Sequence, residues 1–202
     1  MKKIILLALS VFVLFAEGFD YKLKELFYSR LSTYDLRDSY KNYEKDPLLK
    51  KAEDYLKNKK LYITKTIIDG DPEEGIPLKK VKIKVPDYKK VLEILYRDVK
   101  LNKNPIAAFY GLYIINNVYL ENKPKFFIMK REFAKTLALN SQNCDGYLYY
   151  GKYLMEGIGG KRELVKAFEI FNRGMEKCGN KEYYNLYFKN YMAYINRKLK
   201  GK

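Results

Sequence analysis

The chain has 202 residues, 48% of them hydrophobic, which is enough for one packed domain and excludes wholesale disorder. Forty Lys and Arg stand against 24 acidic residues, a net charge of +16 that favours anionic partners. Histidine is absent, which excludes an imidazole general base, Ser-His or Cys-His nucleophile pairs and His-ligated metals.

The first eighteen residues read as a secretory signal. Met1-Lys2-Lys3 is positive, Ile4 to Ala16 is uncharged and mostly apolar, and Ala16-Glu17-Gly18 places small residues two apart. The apolar run is shorter than the roughly 20 residues a membrane span needs. An uncleaved anchor is the alternative. Residues 1–18 carry only Lys2, Lys3 and Glu17, so the positive balance belongs to the rest of the chain. Export to the periplasm or the exterior argues against nucleic acid as the partner, limits membrane contact to passage of the signal, and puts both cysteines in an oxidising compartment.

Residues 19–59 are polar and read as helical. Leu23, Leu26, Phe27 and Leu31 recur at helical spacing, and Pro47 can open a second helix carrying Leu48, Leu49, Ala52, Tyr55 and Leu56. Residues 60–86 change period. Thr66-Ile67-Ile68 is β-branched, Lys80-Val81-Lys82-Ile83-Lys84-Val85 alternates strictly, and a turn-rich stretch separates them. This pattern predicts a β-hairpin with one wet face; one more helix interrupted at Pro72 is the alternative. Asp69, Asp71, Glu73 and Glu74 in the turn could gather a calcium ion, but the spacing lacks the EF-hand order and a solvated turn explains them better.

From residue 87 to 202 short helices follow one another. Asp87 caps a helix through Lys100, Asn104-Pro105 opens one to Asn117, and Pro124 precedes one to Asn140. Asp145 to Gly157 and Glu163 to Cys178 follow, and Asn180 is placed to cap a last helix ending near Leu199. Gly157-Ile158-Gly159-Gly160-Lys161 is similar in outline to a phosphate-binding loop. It lacks the Ser or Thr after Lys and the preceding strand, so it reads as a tight interhelical turn.

Overlaying these helices exposes an internal repeat. A shift of 40 places Tyr110-Gly111 on Tyr150-Gly151, and a further 34 places both on Tyr184-Asn185. Phe109, Tyr149 and Tyr183 coincide in this register, as do Tyr113, Tyr153 and Tyr187. Tyr150-Gly151, Leu154, Gly157-Ile158-Gly159, Lys166-Ala167-Phe168 and Phe171 resemble one Sel-one-like repeat, a hairpin of the tetratricopeptide type. The resemblance spans Gly146–Gly179 well and residues 88–141 partly, and it does not reach residues 19–85. The third copy carries Asn185 where the family pattern has Gly. The resemblance implies a mainly α protein, a right-handed solenoid of helical hairpins with the β-hairpin as an insertion, usually serving protein–protein contact. It is similar to exported cysteine-rich bacterial members with a disulfide in each hairpin, a few of them described as penicillin-binding.

Cys144 precedes the first helix of the best repeat and Cys178 ends its second, positions adjacent in an antiparallel hairpin and displaced outward from the resembled cysteines. An intramolecular disulfide is expected, with two buried thiols or an intermolecular pair as alternatives. The row Phe109, Tyr113, Tyr149, Tyr153, Tyr183 and Tyr187, flanked by Lys152 and Lys189, is either an exposed recognition ladder or packing between repeats. The expectation is a non-catalytic module that contacts another protein or an anionic envelope component, without cofactor or metal. The rival, a protein that binds or hydrolyses cell-wall peptides or β-lactams, needs an activated nucleophile. None of Ser29, Ser32, Ser39 and Ser141 is followed three residues later by Lys.

Overall fold

In a computed structural model the described residues are 42, 43, 45–71, 75–118 and 121–201. The signal, the apolar row Leu23 to Leu31, Pro72, Glu73 and Glu74 therefore lie outside the described residues. The described part is mainly helical with one small sheet. Helix α1 spans Pro47–Lys57, followed by a 3-10 turn, Lys59–Leu61, and strands β1 (Ile63–Asp71) and β2 (Ile76–Val85). Helices α2 (Tyr88–Asn102), α3 (Pro105–Asn117), α4 (Pro124–Ser141), α5 (Cys144–Glu156), α6 (Leu164–Cys178) and α7 (Glu182–Lys200) complete it.

Local chemistry sets most of these bounds. Asp46 accepts from the Leu48 and Leu49 amides with Pro47 at the first helical position, and Asn104 accepts from Ile106 and Ala107 ahead of Pro105. Each cap occupies amides that an open helix end leaves without partners. Asp87 caps α2 through the Lys90 amide, as its position predicts. The last helix departs from expectation. Its cap residue is Lys181, which makes no side-chain cap bond, because Asn180 is used in the preceding turn.

The hairpin forms as the alternation predicts. β1 and β2 pair antiparallel from Ile63↔Val85 to Asp69↔Lys79, with an irregularity between Asp69 and Asp71. Its base is tied to α1 by the Tyr62 hydroxyl, which donates to the Leu56 carbonyl at 2.8 Å. Neither strand makes an extended contact with a described helix.

The helices pack chiefly on their neighbours in sequence, α1 on α2 and so on to α6 on α7, with further contacts of α2 with α4 and α5 with α7. The core is a continuous strip through Leu49, Leu92, Leu95, Ile106, Phe126, Phe133, Phe171 and Phe188, all fully buried. Two hairpins repeat one packing device. A Cβ at Gly111 would come within 2.4 Å of the Phe133 ring, and one at Gly151 equally close to the Phe171 ring. Glycine at these points lets α3 lie against α4, and α5 against α6, at ring thickness. The α5–α6 loop is the structural turn the sequence suggests. Gly157 ends α5 in the left-handed region, and Gly159, at φ +73°, passes so close to the Phe127 carbonyl that a side chain would clash. Arg131 on α4 holds this loop, pairing with Glu163 and donating to the Lys161 carbonyl.

The disulfide is present. Cys144 and Cys178, with Cα atoms 5.9 Å apart, join the start of α5 to the end of α6 within one hairpin. They lie opposite each other at the same end of the hairpin, and both are buried. A cystine at this place fits folding in an oxidising environment.

Candidate functional site

The aromatic row divides into two parts with different surroundings. Phe109 and Tyr153 are both 4% exposed, and the Tyr153 hydroxyl donates to Asn116 Oδ1 at 3.0 Å, tying α5 to α3. Burial pushes the Tyr153 phenol far above its ordinary range, so it remains a neutral donor. These two side chains belong to the packed core and not to an open surface. Tyr113 is half-buried and packs against the core.

The other part is open. Tyr183 is 58% and Tyr187 38% exposed, with ring centroids 4.7 Å apart. Tyr149, half-buried on α5, lies beside the Tyr183 phenol. Position 183 and the residues 4, 7, 8 and 11 further on fall on one side of α7. They are Tyr183, Tyr187, Asn190, Tyr191 and Tyr194. Tyr191 stacks on Phe171 at 5.0 Å, which anchors the row to the core, while Tyr194 is 36% exposed at its far end.

That end widens into a groove of about 520 Å³ lined by Met155, Glu156, Arg162, Asn190, Tyr191 and Tyr194. Arg162 Nε donates to the Met155 carbonyl at 2.8 Å, which fixes the guanidinium plane and leaves Nη1 and Nη2 to meet a ligand. Burial, and then the nearby Glu156 carboxylate, push the Tyr191 phenol up. Lys198 Nζ lies 5.7 Å from the centre of the Tyr194 ring and adds a second cation there.

The two lysines expected beside the row are placed differently. Lys152 Nζ lies 4.0 Å from Glu156, so its charge is partly matched within α5. Lys189 is exposed but follows Tyr187 by two positions, which carries it about 160° around α7 and away from the tyrosines. The basic groups at the row are instead Arg162 and Lys198. The repeat overlay misses both, together with Tyr191 and Tyr194. The 183, 187, 190, 191, 194 spacing of α7 is the signal that could have found the tyrosines.

The ensemble offers aromatic faces, phenolic donors and a fixed guanidinium, chemistry suited to binding. Among the described residues no group of Cys, Asp and Glu side chains is placed to hold a metal ion. A scan against family models finds no match, and no curated protein or solved structure matches the chain.

Proposed function

We propose that this chain is an exported, non-catalytic repeat protein of the Sel-one-like kind. Its helical hairpins form a solenoid, and the tyrosine-lined face of α5 and α7 binds an extended segment of a partner protein. One observation carries the reading. Tyr149, Tyr183, Tyr187, Tyr191 and Tyr194 run along one face and end at the anchored guanidinium of Arg162. Tyrosine gives large contact area for little rotamer entropy, and a held guanidinium gives bidentate recognition of a carboxylate. The repeated Gly111–Phe133 and Gly151–Phe171 contacts support the repeat assignment, and the Cys144–Cys178 bond supports a periplasmic or secreted setting. The groove carries no Ser or Cys nucleophile, and the chain has no histidine, which supports a binding role over hydrolysis.

The test uses the purified protein to capture a partner from envelope extract, followed by the variant Tyr183→Ala with Tyr187→Ala. Both rings are exposed, so the melting temperature should stay within about 2 °C while capture falls at least tenfold. Capture unchanged by the double variant would remove the tyrosine face from the reading, and turnover of a chromogenic β-lactam would replace the binding role with a catalytic one.

A further inference from the structure

The β-hairpin has an apolar face and two different edges, and among the described residues no helix is laid along it. In its register Ile63 faces Val85, Lys65 faces Ile83, Ile67 faces Val81 and Asp69 faces Lys79, so one side of the ribbon is Ile63, Ile67, Val81, Ile83 and Val85 around Lys65, with the Asp69 and Lys79 pair at its turn end. The other side pairs Thr64, Thr66 and Ile68 with Lys84, Lys82 and Lys80. Ile63 is 45% and Ile68 69% exposed. A lone two-stranded ribbon is marginal in water, and a third or fourth strand is what normally stabilises one.

The two edges are not equivalent. β2 carries Pro77 together with Lys79, Lys80, Lys82 and Lys84, the residues that block pairing with another strand. β1 is unguarded over Ile63 to Asp69. Ile63, Thr64, Thr66, Ile67 and Ile68 are β-branched, with one lysine, one aspartate and no proline.

We infer that β1 is a self-association edge. Two copies pair antiparallel through it about a two-fold axis at Ile67 and form a four-stranded sheet. In that register Lys65 of each copy lies opposite Asp69 of the other, Thr66 opposite Ile68, and Ile67 opposite Ile67. Shifting the axis to Thr66 puts Asp69 opposite Ile63 and loses both ion pairs. Two β2 edges cannot do the same, because their lysines would face lysines. Pairing centred on a residue keeps each side chain on its own face, so the apolar row continues across the seam. The interface is isologous and closes at two chains. The seam is short, since the irregularity after Asp69, where Gly70 has φ +130°, ends the regular ladder. The dimer is therefore reversible and concentration-dependent. This inference stands apart from the tyrosine face, which lies on other elements.

The test is sedimentation velocity of the purified protein over a range of concentrations. The natural chain should dimerise. Lys65→Glu should weaken the dimer at least tenfold, since it sets a carboxylate against Asp69 twice while facing only Ile83 within its own hairpin. A second variant carries Asp69→Lys with Lys79→Asp, which preserves the cross-strand pair inside the hairpin, and it too should be mainly monomeric. Mixed one to one, the two variants should recover the dimer. The carboxylate introduced by Lys65→Glu then meets the ammonium introduced by Asp69→Lys, and the unchanged Asp69 of the first variant meets the unchanged Lys65 of the second. The helical body should melt unchanged in every case. A natural chain that stays monomeric, a dimer indifferent to both variants, or a mixture that fails to associate would each overturn the inference.

Discussion

At the level of single residues the least expected feature is a buried carboxylate. Asp98 is fully buried and accepts from Asn102 Nδ2 at 2.8 Å and Asn104 Nδ2 at 2.7 Å. Asn102 also donates to Asp46, and Asn104 caps α3, so the caps of α1 and α3 meet at this one group. Burial holds the Asp98 carboxyl above the usual carboxylate range; the Asn102 hydrogen bond opposes the shift and the Asp46 charge adds to it. A carboxyl whose folded pKa is raised keeps a proton that the unfolded chain releases. Its contribution to stability therefore grows as pH falls from the raised value toward the ordinary one near about 4, and is lost as pH rises through the raised value. Asn104→Ala removes both the α3 cap and a donor to this carboxylate. It should cost about 2–3 kcal/mol at pH 8. The donor's loss raises the Asp98 pKa further, so the cost should be smaller at pH 4.5. Urea unfolding at the two pH values checks it, and an equal loss at both would mean only the cap matters. Asn104-Pro105 was legible as a cap because local chemistry defines it. Asp98 was not, because its burial depends on a helix arriving from earlier in the chain, at Asp46 to Lys57, which no local pattern reveals.

The helices are spaced by glycines that face rings. Gly151→Ala would drive a methyl into the fully buried Phe171, and the overpacking should outweigh the gain in helix propensity, for a net loss of about 1–2 kcal/mol. Thermal unfolding of this variant and of Gly111→Ala should give similar shifts, since both meet a phenylalanine in the same way. Asn185, at the corresponding place on α7, shows the rule by departing from it. Among the described residues no helix follows α7 to bring a ring against that point, and Asn185 instead donates to the Gly179 carbonyl at 2.7 Å. The staple works on the same hairpin. Cys144→Ser with Cys178→Ser opens a loop of 34 residues and should lower stability by about 3–4 kcal/mol on the chain-entropy view, read as a drop in the urea midpoint between the oxidised protein and the double variant. Helix order, the interhelical turn and the cysteine pair were legible because punctuation and period carry them. The aromatic row was legible only as a row. Which rings are covered depends on tertiary contacts, such as Asn116 reaching Tyr153 and the burial of Phe109 in the shared core, that a periodicity cannot rank. The groove escaped for the same reason, since Arg162 and Tyr194 lie 32 residues apart and meet only once α7 folds back on α5.

Across the whole molecule, the packing of each helix on its neighbours has a kinetic consequence. Apart from the hairpin, every extended contact among the described elements joins helices one or two steps apart in order. Among the described residues no partner has to be recruited from the far end of the chain, which limits the entropy lost in closing each loop. Structure can nucleate at adjacent helix pairs and spread to their neighbours. Refolding from urea should then show a main phase on the order of milliseconds, measurable by stopped-flow tyrosine fluorescence. The rate should be higher with the cystine intact than reduced, because the bond removes the entropy that α5 and α6 otherwise lose on pairing. A main phase lasting seconds would mean that some long-range contact limits folding. Where the chain meets an oxidant, the order of events follows: α5 and α6 dock first, and the sulfurs are oxidised already in place.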